Sequence, residues 1–279
     1  MKLRLYHHRD GARVAYREAG TGPPLALLHS ALLSHREWEP VVDELSHSFR
    51  VVLPDLPLHG DSEHRPNHPY SPDWLAEVIS GFLRETCGSR PLVGAHELGA
   101  SLLLHAVIRG YVRPSRMVLM PNPMHRGHSR GPVERAVTAA MRMGAVPGLD
   151  WTLSHAARAA FRPARGERLT VSGNPAARDL VRHAFADLGG NAERARAWAK
   201  AASRWPAETS EGLLEAYSGI DVPVLLLWAD ADRMHPLEIA EEALPRLSDA
   251  DLRVLSGTGF LIAYDDPIGV ARELSSFCR

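Results

Sequence analysis

The chain has 279 residues, 45% of them apolar, a formal net charge of −1 and two cysteines. That length can bury a substantial core in one large domain, and the near-zero charge gives no global field to recruit nucleic acid or anionic lipid. Cys87 and Cys278 are too few for a disulfide framework or a cysteine metal site, which suits a reducing cytoplasm.

Lysine occurs only at Lys2 and Lys200, and the arginines are scattered among acids, so the basic residues do not form a nucleic-acid footprint. The opening stretch MKLRLYHHRDGARVAY lacks the apolar run of a signal peptide. No window approaches 18 uninterrupted apolar residues, the minimum for a membrane span. The expectation is a cytoplasmic protein with neither a membrane nor a nucleic acid as partner.

Two alternating segments, near Leu3–His7 and Ala12–Glu18, flank Asp10-Gly11, a hairpin turn signal. PLALLH (Pro24–His29) is a short apolar run with no polar face, the pattern of a buried strand. A helix is expected over Glu37–Leu45 and another buried strand over Phe49–Leu56. Ser71–Glu85 reads as a helix capped by Ser71, with Pro72 in its first turn. Further strands are expected at Pro91–Ala95, Arg116–Met120, Val222–Trp228 and Asp251–Leu255. Strand alternating with helix implies an α/β fold, a mostly parallel sheet flanked by helices.

The alternation breaks between about Pro121 and Ser218, where VERAVTAAMRM and NAERARAWAKAASRW read as helices and no strand is convincing. These are either extra helices packed on the sheet or an inserted helical cap. The second reading divides the chain into a core of residues 1–121 and 219–279 and a cap of residues 122–218.

LVGAHELGAS (Leu92–Ser101) has the outline of a strand turning sharply into a helix. A nucleophile elbow needs small residues around its apex, because helix and strand approach closely there. Ala95-His96-Glu97-Leu98-Gly99 supplies them, as small–x–Glu–x–small. Gly94 to Gly99 also has phosphate-loop spacing, but Ala100 stands where the lysine would be; His96-Glu97 opens a zinc-protease pattern that lacks the second histidine.

With these segments in this order, the chain resembles the α/β-hydrolase superfamily, specifically its capped single-domain members. Leu25–Ser62 resembles the family's oxyanion strand, first helix and following strand; Val222–Pro236 the strand carrying the triad acid; Leu252–Phe277 the segment carrying the triad histidine. The resemblance implies the fold, while function rests on the site. It puts the triad acid at Asp232. It also puts Glu97 where the family has Ser, Cys or Asp, and Phe260 where it has histidine, and no histidine follows His235. Losing triad members leaves only the roughly 10³–10⁴-fold acceleration from oxyanion contacts and binding, so serine-esterase chemistry is not expected. The oxyanion donors implied are the Leu98 amide and the backbone near Ser30–Ala31, just after His29.

A carboxylate at a helix N-terminus is favoured by dipole and amides and disfavoured by an apolar pocket, and such opposing effects can poise it for proton transfer. Three roles for Glu97 stay open: general acid or base in a cyclisation, lyase, isomerisation or water-addition reaction; nucleophile, as in epoxide hydrolases and dehalogenases; or polar anchor in a non-catalytic ligand-binding protein. Phe260, His96 and His125 are candidate pocket-wall residues, although His96 can equally pack away from the pocket. His29 can shape the oxyanion loop. Asp232 can bond loop amides or pair with Arg233 or His235, and Asp55 reads as structural. His125 and His128 lack a third ligand for a metal. Trp38, Trp151, Trp198 and Trp205 could line a pocket or the core. The expected partner is a small organic molecule, with no metal and no organic cofactor.

Overall fold

The structure is a computed structural model that describes residues 1–65, 67–126, 139, 167–186, 192–204 and 212–279. Much of the 122–218 segment, including His128, Trp151, Trp205 and the VERAVTAAMRM helix apart from Ala139, lies outside the described residues.

Strands β1 (Lys2–His7) and β2 (Arg13–Ala19) form the antiparallel hairpin expected around Asp10-Gly11, where Gly11 takes a positive φ of 85°. Strands β3 (Pro24–Leu28), β4 (Arg50–Pro54), β5 (Leu92–Ala95), β6 (Arg116–Leu119), β7 (Val224–Ala229) and β8 (Ala250–Leu255) complete one eight-stranded sheet of order β1-β2-β4-β3-β5-β6-β7-β8. Every pairing from β4 to β8 is parallel, while β2 runs antiparallel to both its neighbours. Among the described residues the helices are α1 (Glu39–Ser46), α2 (Pro72–Cys87), α3 (Glu97–Ile108), α4 (Ala176–Ala186), α5 (Ala192–Arg204), α6 (Leu213–Ala216), α7 (Glu238–Ala243), α8 (Ile262–Asp265) and α9 (Pro267–Cys278).

The central strands lack a polar face because both faces are covered. On β3, Leu25 and Leu27 pack with Val41 and Leu45 of α1 and Leu274 of α9. The alternate residues Ala26 and Leu28 pack on the other side with Ile79 and Phe82 of α2 and Leu103 of α3. Parallel strands enclosed in this way read as continuous apolar runs.

The helix expected over Glu37–Leu45 begins differently. A 3₁₀ turn, His35–Trp38, precedes α1, which starts at Glu39 with Pro40 in its first turn. Proline there lacks only an N–H that would have no helical partner. Glu37 therefore sits on the separate turn, 1% exposed, instead of on a helix face. Helix α2 starts as expected: the Ser71 hydroxyl accepts from the Trp74 amide at 3.2 Å. No helix among the described residues is long and apolar enough to cross a membrane.

Candidate active site

The turn from β5 into α3 places Glu97 in the left-handed region, φ 42°, where a non-glycine residue is strained and must be held by its surroundings. Both flanking strands hold it. The His96 amide donates to Leu28 O at 3.0 Å, the Glu97 amide to Pro121 O at 3.1 Å and the Gly99 amide to His29 O at 3.2 Å. Gly99 is required by proximity, since a Cβ there would lie 2.7 Å from the Leu28 carbonyl oxygen.

Three consecutive amides of the loop after β3 each donate to a side chain from another segment. Ser30 N reaches Glu37 Oε2 at 2.7 Å, Ala31 N reaches Glu97 Oε2 at 2.6 Å and Leu32 N reaches His59 Nε2 at 3.0 Å. The Ser30 hydroxyl also donates to Glu37 Oε2, at 2.8 Å. The backbone expected to serve as oxyanion donors is thus already engaged at both Ser30 and Ala31. Leu98, the next residue on α3, is half-buried.

His29 lies beneath this loop. Its Nε2 accepts from the Leu56 amide at 2.9 Å, so Nδ1 carries the proton that goes to Ser30 O at 2.7 Å. Burial holds its pKa down against the pull of Asp55 and Glu37. Burial pushes His59 down as well, to about 3. Its ring meets His29 at 4.9 Å and Trp198 of α5 at 4.8 Å between centroids.

His96 is fully buried and its Nδ1 bonds Glu37 Oε1. Burial alone would raise the Glu37 carboxyl and lower the His96 imidazole, but their mutual attraction and hydrogen bond outweigh it. Glu37 is held below its usual range and His96 above it, with Glu97 and Asp232 adding to the rise of His96. Both shifts describe one ion pair. Among the described residues the other ring nitrogen of His96 has no hydrogen-bond partner, and the ring of Phe260 lies 4.8 Å from the His96 ring.

Phe260 is half-buried between two histidines, with the His235 ring nearly parallel to it at 6.0 Å, 27°. His235 Nδ1 is 2.9 Å from Asp232 Oδ2, and Met234 N donates to Asp232 Oδ1 at 2.8 Å. Asp232 thus bonds both a loop amide and His235. Burial raises its pKa, but the His235 hydrogen bond and charge dominate and lower it. Phe260 also packs on a cluster of Leu33, Ala177, Leu180, Leu261 and Tyr264, which joins α4 to this loop.

His125 bonds Glu242 of α7 at 3.0 Å, alongside Arg126, and its ring edge meets Tyr217. Asp55 is a structural hub, accepting from the His35 amide at 2.8 Å and the Asp61 amide at 3.0 Å. Trp38 is fully buried in the core and Trp228 donates to the His235 carbonyl. Among the described residues no group of three or more His, Cys, Asp or Glu could hold a metal ion.

Sequence reasoning missed Glu37 and His59. A glutamate beside a helix reads as solvated, and nothing local signals a partner 59 residues away. His235, three residues after Asp232, was one of the partners offered for it, and the structure pairs the two.

The model of the Alpha/beta hydrolase family matches residues 25–273. Over 277 residues the chain is 23% identical to an uncharacterized protein of Mycobacterium tuberculosis, covering 96% of this chain and 77% of the relative. A stretch of 108 residues is 42% identical to the soluble epoxide hydrolase of a Corynebacterium, covering 38% of this chain and 37% of that one. Among solved structures, an alpha/beta hydrolase fold protein from Burkholderia ambifaria superposes with a TM-score of 0.81 at 23% identity, covering 99% and 98% of the two chains. The enol-lactonase from Burkholderia xenovorans gives 0.77 at 19%, covering 99% of each. With its sheet order, its strained strand–helix turn and a family match across most of its length, the chain belongs to the α/β-hydrolase family.

Proposed function

We propose that this protein is an enzyme acting on a small organic molecule with Glu97 as general acid–base group, and that it is not a serine esterase. The observation that carries this is the 2.6 Å hydrogen bond from Ala31 N to Glu97 Oε2 at the strained turn. In acyl transfer, such an amide receives the negative oxygen of the tetrahedral intermediate. Here a resident carboxylate takes it. A carboxylate anchored by one oxygen is held in orientation, as proton transfer requires. Phe260, in the place the family gives to histidine, supplies an apolar wall and no proton, which argues against a glutamyl-ester intermediate that water must then hydrolyse. Asp232 acts by holding His235.

The reactions that fit are cyclisation, elimination, isomerisation or addition of water. Relatives and fold neighbours named as an epoxide hydrolase and an enol-lactonase make small oxygen electrophiles the first substrates to screen. Residues 122–218 serve as the cap in this reading. In support, Leu261 N bonds Leu169 O at 3.0 Å and Arg194 Nη2 bonds Gly60 O at 2.6 Å, both linking that segment to loops around the site.

General acid–base groups contribute roughly 10²–10⁴-fold. Glu97→Gln should therefore remove turnover by about that factor while leaving ligand affinity within about tenfold. Unchanged turnover would overturn the mechanism, and a covalent adduct on Glu97 in intact-mass spectra would make it the nucleophile. The same hydrogen bond also favours a second reading, a non-catalytic ligand-binding protein in which Glu97 closes the oxyanion loop. A ligand that raises the melting temperature and is recovered chemically unchanged would select it.

A further inference from the structure

Glu37 uses both carboxylate oxygens, and each goes to a different loop. Oε2 accepts from the amide and the hydroxyl of Ser30, and Oε1 bonds His96 Nδ1. Ser30 precedes Ala31, whose amide grips Glu97, and His96 precedes Glu97 itself. The contacts close a ring: Glu37, Ser30, Ala31, Glu97, His96 and back to Glu37. The carboxylate that closes it is 1% exposed and His96 is fully buried. The turn bearing Glu37 is itself held. Ser34 caps it, through Glu37 N to Ser34 O at 2.9 Å and Arg36 N to Ser34 Oγ at 3.4 Å, and Tyr264 OH donates to Arg36 O at 3.0 Å.

We propose that Glu37 is the positioning residue of this site, fixing both ends of the Ala31–Glu97 hydrogen bond through Ser30 on one side and His96 on the other. This rests on Glu97 being the working group. The Ala31 amide belongs to the peptide that follows Ser30, so a Ser30 fixed through amide and hydroxyl leaves that peptide little freedom. On the elbow side, His96 is the last residue before the strained one. A buried carboxylate is costly unless hydrogen-bonded and paired, and Glu37 meets both conditions only while the two loops stay in register. Both Glu37 and Glu97 favour the protonated form of His96, which lies between them in this ring of contacts. The titratable groups facing it are Glu37 from the 3₁₀ turn, Glu97 from α3 and Asp232 from the loop after β7, with the rings of Phe260 and Trp38 beside it.

The test is NMR of the full chain, following the Ala31 amide and the His96 ring nitrogens in the unmodified protein, Glu37→Ala, Glu37→Gln and Glu97→Gln. Glu97→Gln calibrates how far the Ala31 signal moves when its acceptor loses charge. In Glu37→Ala the Ala31 signal should move comparably. On a substrate found for Glu97, kcat should fall roughly 10²-fold, the scale of a 1 Å misplacement. In Glu37→Gln the amide oxygen can still accept from Ser30, so Ala31 should return toward its original position, while His96, without its carboxylate, should titrate at lower pH. An Ala31 signal that stays in place in folded Glu37→Ala, or a His96 titration unmoved in Glu37→Gln, overturns the proposal. If Glu37→Ala does not fold, Glu37→Gln decides through His96. Neither signal depends on turnover, so the positioning role and the catalytic role of Glu97 can fail separately.

Discussion

Two groups of loops meet at the C-terminal edge of the sheet, and they handle buried carboxylates in opposite ways. On the β3–β5 side, carboxylates reach across: Glu37 and Glu97 take amides from a segment other than their own. On the β7–β8 side, the buried Asp232 stays local. It bonds Met234 and His235, whereas the exposed Asp230 accepts from Gly257 at 2.7 Å and Ser256 at 3.0 Å in the loop after β8. The half-buried Asp265 also reaches another segment, at Val171 and Ser172, each at 2.9 Å. A carboxylate that closes its own loop shapes that loop. One that joins two loops makes their relative position depend on its charge, and the side that does this carries the strained Glu97.

The largest effect should come from the contact that lets the two loops of the β3–β5 side approach. Gly99→Val would place a branched side chain against the Leu28 carbonyl, 2.7 Å from its Cβ. It should cost about 2–3 kcal/mol of unfolding free energy, measured by urea denaturation. A loss of only a few tenths would mean that α3 can move away and that the elbow is less constrained than its hydrogen bonds imply.

The charge dependence should appear next. His96 is held above its ordinary value of 6.5, so its stabilisation is complete below 6.5 and lost as pH rises through the folded-state value. Glu37 is held below its ordinary 4.5, so its stabilisation is present above 4.5 and lost as pH falls through its folded value. The unmodified protein should therefore lose stability on the alkaline side of 6.5. Glu37→Gln should flatten that arm, as denaturation midpoints collected from about pH 6 to about pH 9 would show. An unchanged alkaline arm would place the dependence elsewhere.

The smallest effect belongs to the other side. Asp265→Ala removes the acceptor of the Val171, Ser172 and Gly259 amides. Global stability should fall by about 1–2 kcal/mol, with faster hydrogen exchange at those amides and the Ala31 amide undisturbed. A shift at Ala31 would show that the two sides are coupled after all.

The strands along the chain, the helices on both faces of the sheet and the turn at Glu97 were legible from sequence, because each rests on local signals. Continuous apolar runs marked strands covered on both faces, Ser71 and Pro72 marked a helix start, and small residues marked the elbow. The resemblance also singled out Glu97, Asp232 and Phe260 as candidate site positions. Only tertiary structure decided that the Ala31 amide goes to Glu97, that Asp232 holds His235 and that Glu37 is buried against His96. Those contacts join residues on separate loops, and a carboxylate carries no local mark of whether it will face water or an imidazole. Pairing of buried charges is settled by which loops the sheet brings together, and periodicity along one segment does not record that.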